Sequence, residues 1–407
     1  MLKLRAILFS AVGLAALIVS VVFAQVPASS PAVPQAAAPV VPPALTFVPI
    51  RPIEPPAVPL PPESESAGMT KFSFFAYGDT RSAGTPRGAQ PVPGDGDILH
   101  PIHSQVVEAM LARIQALATT PFPVRFVVQS GDAVLRGATG AQWNVSFTPI
   151  IERLTRAGVS FFFSVGNHDV TGMPAGDPVR MLGLHNTLTA MSKLIPPEGS
   201  PRRLGGYPTY TFGYGNSFFI AFDSNIAIDP LQLAWVTAQL EHLDRARYRH
   251  VIAFFHHPPF SSGPHGGDHV EPPSAAIREF YMPLFRKHHV RMLIAGHDHL
   301  YDHWVERYVD NGVSYRLDAV VTGGGGAPIY LYNTEPDLQG YLAAGAAQKV
   351  RVEHLAAPGP TVADNPHHFV VVTVDGERLS LEVVGIGPTR FAPFNGRSQI
   401  DLSDRVN

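Results

Sequence analysis

The sequence predicts an α/β domain with helices packed outside its sheets. Short runs rich in Phe, Val and Ile, bounded by Gly, Asp or Pro, alternate with stretches of helical period. Five of these runs end in Asp, Asn or His, and in α/β sheets the carboxyl ends of the strands are where ligands bind.

Strands are expected at Lys71–Tyr77, Val124–Gln129, Ser160–Val165, Ser217–Phe222, Val251–Phe255, Met292–Ala295 and Leu317–Thr322. Between them, Ile102, Val106, Met110, Ile114 and Leu117 share one helical face, as do Trp143, Phe147, Ile150 and Leu154. Asp229-Pro230 opens a third helix, an N-cap followed by proline at the first helical position. Near the C-terminus, Phe369–Val374 and Leu379–Val384 flank Asp375-Gly376, a hairpin signal. There is no internal repeat.

With 407 residues, 45% of them hydrophobic, the chain can bury a large core as one big domain or two ordinary ones. A formal net charge of −3 gives no basic face for nucleic acid. A small charged substrate is still allowed, because a metal site brings its own positive field. The absence of cysteine excludes disulfides, thiolate ligands and cysteine catalysis, so any metal must sit on oxygen and imidazole.

Residues 1–24 read as an export signal or N-terminal anchor. Lys3 and Arg5 precede an apolar stretch from Ala6 to Ala24, and Val22-Phe23-Ala24 offers small residues where a signal peptidase acts. Retained, residues 6–24 would anchor the chain, since ~18 apolar residues just span a bilayer. Either way the remainder is expected outside the cytoplasm: periplasmic, secreted or membrane-anchored. Residues 25–68 are rich in Pro, Ala and Val and read as an extended linker. The folded domain is expected over 69–390, with 391–407 a C-terminal tail.

The chemistry lies where the strands end. Lys71–Tyr77 runs into Gly78-Asp79, Val124–Gln129 into Gly131-Asp132, and Ser160–Val165 into Gly166-Asn167-His168-Asp169. Val251–Phe255 runs into His256-His257-Pro258, and Met292–Ala295 into Gly296-His297-Asp298-His299. Carboxylate, amide oxygen and imidazole suit hard or borderline divalent metals. His297 and His299, two apart, point to one side of an extended segment. Glycine before each polar group permits a sharp turn.

In this order, the motifs resemble the calcineurin-like metallophosphoesterase superfamily, and the Ser217–His303 region with Gly323–Gly326 is most similar to its purple-acid-phosphatase-like branch. The resemblance covers about residues 70–385. It implies a four-layer α-β-β-α sandwich with two mixed β-sheets, acting on a small-molecule phosphate ester. It also implies two metal ions, of iron, manganese or zinc. Asp79, Asp132 and His299 would hold one; Asp132, Asn167, His256 and His297 would hold the other, with Asp132 bridging. Hydroxide from a water shared by the two cations would attack phosphorus in line. His168 would face the substrate and assist the leaving oxygen, with Asp169 orienting it.

The chain departs from the family at one place. The first motif is usually Asp-x-His, and here it is Asp79-Thr80-Arg81. Guanidinium cannot coordinate a metal. His103, His265 or His269 would then supply the missing ligand, or Arg81 clamps the substrate phosphate, or it serves as an outlying ion pair. His265, in the Gly-rich loop Ser261–Pro273, is a further candidate for the substrate. His257, Tyr301 and His303 read as supporting residues, Gly323–Gly326 as tight packing, and Asp177–Tyr207 as an insertion bordering the cleft. The alternative to a hydrolase is a catalytically impaired relative that binds an envelope ligand in the same cleft.

Overall fold

A six-stranded and a seven-stranded mixed sheet organise the chain in the computed structural model, which describes residues 48–84, 92–170, 176–267, 270–388 and 390–402. In chain order the strands are β1 (Lys71–Tyr77), β2 (Val124–Gln129), β3 (Ser160–Phe163), β4 (Tyr210–Tyr214), β5 (Ser217–Ala221), β6 (His250–Phe254) and β7 (Met292–Ala295). There follow β8 (Tyr301–Asp310), β9 (Val313–Thr322), β10 (Arg351–Ala356), β11 (His368–Asp375), β12 (Arg378–Gly385) and β13 (Gln399–Asp401). The first sheet runs β13-β12-β11-β1-β2-β3 and the second β10-β8-β9-β7-β6-β5-β4. Strands β1, β2 and β3 are mutually parallel, as are β5, β6, β7 and β9.

Alternation along these strands builds the layers. Phe219, Ala221, Ile252, Phe254, Met292 and Ile294 of the second sheet join Phe72, Phe74 and Phe126 of the first in one core. The Phe126 and Phe219 rings meet edge-on at 5.0 Å across it. The residues between them, Phe218, Ile220, Val251, Ala253 and Leu293, turn to the opposite face. There they pack on α5 (Pro230–Glu241) and on the segment through α6 (Pro272–Ala276) and α7 (Met282–Lys287). Helices α1 (Pro101–Leu117) and α2 (Thr148–Arg156) cover the first sheet, so four layers result. Strands buried on both faces read as continuous apolar runs, which is why they stand out in the sequence. Asp229 caps α5, its Oδ1 accepting from the amides of Leu231 and Gln232.

Two boundaries differ from the expected ones. The leader at 1–24 and the linker up to residue 47 lie outside the described residues, but residues 48–68 are packed onto the domain. Ile53 is fully buried and its amide donates to Ala190. Glu63 accepts from Tyr248, Arg202 and the Gly213 amide. Proline fixes an extended path here, and the path is used as a strap. At the other end, Phe394 and Leu402 are buried and β13 extends the first sheet, so 391–402 belongs to the domain. Past the single turn α3 (Asn167–Val170), Asp177 caps a helix within 177–207, α4 (Pro178–Met191), whose Asn186 donates to Gly137. Among the described residues no helix is long and apolar enough to cross a membrane.

Candidate metal centre

Parallel strands deliver their carboxyl ends to one edge, and there Asp79, Asp132, Asn167, His256, His297 and His299 come together. The loops that carry them are tied to each other by backbone bonds. The Asp79 amide donates to Gly131, that of Thr80 to Asp132, and that of Gly296 to His256, each at 3.0 Å. Asp79, Asp132 and His297 all hold left-handed backbone, at φ 58°, 53° and 71°. Such strain in non-glycine residues persists where the surroundings enforce it, commonly at functional sites. A side chain on Gly296 would lie 2.1 Å from Asp79 Oδ2, and one on Gly166 would lie 2.1 Å from Asp132 Oδ1. The glycines therefore stand where neighbouring loops have no room for a Cβ.

Hydrogen bonds fix which nitrogen of each imidazole faces inward. His256 Nδ1 lies 3.0 Å from the Ser130 carbonyl, which can only accept, so its Nε2 presents a lone pair. His297 Nε2 lies 2.8 Å from the Glu271 carboxylate, which leaves Nδ1 facing inward. His299 Nδ1 lies 2.7 Å from the Pro328 carbonyl, which leaves Nε2. Burial pushes His256 down to about 3 and His299 likewise to about 3, so both rings are neutral. As a result Asn167 Oδ1, His256 Nε2 and His297 Nδ1, all acceptors, lie 2.9–3.1 Å from one another. Asp132 Oδ1 is 3.4 Å from His256 Nε2. Four lone-pair donors converge here, Asp132, His256 and His297 buried and Asn167 half-buried, and such a set fits a divalent cation.

The other side of Asp132 is arranged differently. Asp79 accepts the His297 amide on both oxygens, at 3.1 and 3.0 Å. Burial, with Asp132 beside it, pushes the Asp79 carboxyl well up. His299 Nε2 lies 3.5 Å from Asp79 Oδ1. Arg81 stands between these groups, its Nε 3.3 Å from Asp132 Oδ2 and one terminal nitrogen 3.4 Å from His299 Nε2.

His168 lies at the mouth. Its Nδ1 donates to the Leu135 carbonyl at 2.9 Å and its Nε2 is 4.0 Å from Asp132 Oδ2. Asp169 does not orient the ring, contrary to expectation. Its two oxygens accept the amides of Val134 and Gly166, binding the β2 and β3 loops together, and the Leu135 carbonyl orients the imidazole instead. His265 reaches the rim, 4.4 Å ring to ring from His297, and is held at 2.8 Å by Glu271, which raises its pKa. His103 turns away to the Tyr77 hydroxyl, and His269 lies outside the described residues. His257 is bound to Ser224, and Tyr301 and His303 pair with each other away from the cluster. Gly324 packs on His368 and Gly325 on the Gly78 carbonyl.

Sequence reasoning missed two residues. Glu271 joins His265 and His297 through its two oxygens, and Tyr330 stacks on His299 at 4.1 Å. Glu271 sits in the same Gly- and His-rich loop, and an acid among those histidines was the available signal. It also forms, with His257 and His297, a second grouping close enough to hold a metal, besides Asp79, Asp132 and His256. Both Glu271 oxygens already accept from imidazole, so the residue positions His297. Asp298 points away from the cluster and accepts from Ser261 and the His265 amide, fastening that loop over the site.

Two packed mixed sheets with carboxylate, amide and imidazole donors gathered at their strand ends match the fold and the donor set that the motifs imply. The chain belongs to the calcineurin-like phosphoesterase family, whose model it matches over residues 99–301. No curated protein sequence matches it significantly. Among solved structures it is similar to a purple acid phosphatase from yellow lupin (Lupinus luteus) seeds, at 16% identity and a TM-score of 0.55. That likeness, one of fold, covers 82% of this chain and 54% of the lupin protein, so the chain spans about half of that relative's length. GAP50, the anchor in the inner membrane complex of Plasmodium, aligns over 79% of this chain and 87% of its own at 14% identity and a TM-score of 0.48. PhoD aligns over 83% and 72% at 10% identity and 0.46.

Proposed function

We propose that this chain hydrolyses phosphomonoesters or phosphodiesters at the Asp132, Asn167, His256 and His297 centre. The observation that carries the reading is the cluster of three mutually facing acceptors, Asn167 Oδ1, His256 Nε2 and His297 Nδ1, within 3.1 Å. A cation bound there would polarise a phosphoryl oxygen and lower the pKa of water. Iron, manganese and zinc all suit this donor set.

The remaining steps belong to the chain. Asp132 draws one oxygen to each side of the cleft and accepts the His168 amide at 3.0 Å, holding that loop in register. Burial lowers the His168 pKa, so the ring is neutral before substrate binds. An arriving phosphate anion favours its second proton, and Nε2 then gives that proton to the departing alcohol.

The test is turnover of p-nitrophenyl phosphate and its bis ester by metal-reconstituted protein. His168→Ala is expected to lower turnover about 10²–10⁴-fold while leaving metal content unchanged. Reconstituted protein that holds metal yet cleaves neither ester would leave only the ligand-binding reading. Export is proposed on Lys3, Arg5 and the apolar run to Ala24. Cytoplasmic recovery of the full chain on cell fractionation would overturn it.

A further inference from the structure

We infer that the Arg81 guanidinium occupies the place of a second cation, so that this site takes one metal ion. The inference rests on the proposed hydrolase reading and specifies its charge.

Arg81 is nearly buried, 9% exposed, and is held on three sides. One terminal nitrogen donates to the Ser82 carbonyl at 3.2 Å, Nε to Asp132 Oδ2 at 3.3 Å, and the other terminal nitrogen to His299 Nε2 at 3.4 Å. His299 is committed to that direction, because its Nδ1 is spent on Pro328. The atoms that would bind a second ion, Asp132 Oδ2 and His299 Nε2, are therefore already accepting from one permanently charged group. An ion placed between them would compete for the same lone pairs and meet a like charge at contact distance. Burial removes the solvent that would screen that repulsion.

Among the described residues, the opposite side of Asp132 lacks any such group. Around Asn167, His256 and His297 the inward atoms are all acceptors, and each imidazole's remaining nitrogen bonds a carbonyl or carboxylate. One half of the cleft is built to receive a cation and the other already contains one. Asp79 accordingly serves as a positioning residue, its two oxygens holding the His297 amide. The match to the family model begins at residue 99, beyond Asp79 and Arg81, so the departing motif lies outside the matched span. In hydrolysis Arg81 would contribute a fixed positive charge toward the phosphoryl oxygens, a geometry guanidinium suits.

Metal content and manganese electron paramagnetic resonance of the full chain after reconstitution with Mn²⁺ test this. The expected result is one equivalent with the spectrum of isolated ions in the natural protein. Arg81→His and Arg81→Ala are each expected to admit a second equivalent, with exchange coupling between the ions. Two equivalents in the natural protein would overturn the inference and leave the hydrolase reading intact. So would a single equivalent retained in both variants. No bound Mn²⁺, with Zn²⁺ and iron equally excluded, would overturn the metal centre itself.

Discussion

Two polar clusters lie at opposite ends of β7, and they are built on opposite rules. Beyond Ala295, His297 faces Asn167 and His256 with acceptors turned on acceptors. Beside Met292, at the strand's start, Asp318 is fully buried and every acceptor has its donor. Oδ1 takes His303 Nε2 and an Arg316 terminal nitrogen, both at 2.8 Å, and Oδ2 takes Arg316 Nε at 3.0 Å and also Arg291. Burial alone would raise the Asp318 carboxyl; His303, Arg291 and Arg316 outweigh it and hold it below the usual range. Both clusters contain buried histidine and aspartate, so residue type does not separate a site from a strut. Lone-pair accounting does.

The largest effect is expected at the strut. Asp318→Ala would remove the buried carboxylate that Arg291, Arg316 and His303 share, at a cost of about 3–5 kcal/mol. Denaturant unfolding would measure it, while metal bound per folded molecule stays unchanged. A loss below about 1 kcal/mol would show that the pairing is dispensable and the comparison false.

The opposite outcome is expected at the site. Asn167→Ala removes one of three facing acceptors, so the metal-free protein should unfold within about 1 kcal/mol of the natural one, on either side. Metal affinity should fall at least about 10-fold, read by competition with a chelator. Destabilisation of the metal-free form by more than about 2 kcal/mol would mean that the acceptors are already satisfied and the cluster is structural.

The same contrast explains what was legible in the sequence. Strands β1, β2 and β7 coincide with apolar runs because both faces are buried, and the motif residues follow them directly. Strand β8 was not legible: Asp302, Glu306 and Arg307 interrupt its run. Its carboxylates are neutralised by partners distant in sequence, Arg286 for Glu306 and His354 for Asp302. The strap at 48–68 was read as spacer because proline-rich composition does not reveal whether anything covers it. Asp79, Asp132 and the histidines were nameable from spacing. The roles of Glu271 and Asp169 depend on which way a carboxylate turns, and chain order does not encode that. Arg81 was visible as a departure, but only the geometry puts its guanidinium against Asp132 and His299.

His354 supplies the finest test, because its cluster belongs to the strut class only while the ring is charged. Nε2 lies 2.5 Å from Asp302 and Nδ1 2.7 Å from Glu335, so both nitrogens donate to carboxylates, and the ring stacks on Trp304 at 3.8 Å. Burial opposes the charge, but Asp302 and then Glu335 prevail and raise its pKa. A histidine whose folded pKa exceeds its unfolded value of about 6.5 stabilises fully below that value. The contribution is lost as pH rises through the folded pKa. His354→Gln in chelator-treated protein should therefore cost about 1 kcal/mol near pH 6, after screening, and progressively less toward pH 9. Urea unfolding at both pH values measures this. A deficit equal at the two would assign the residue's contribution to its packing on Trp304. Asp302 also accepts both the amide and the hydroxyl of Ser262, so the ring shares with them the carboxylate that holds the loop beside the metal centre. Once deprotonated, the ring has one donor left for two carboxylates, and the strut then acquires an unmatched acceptor of the kind that defines the site.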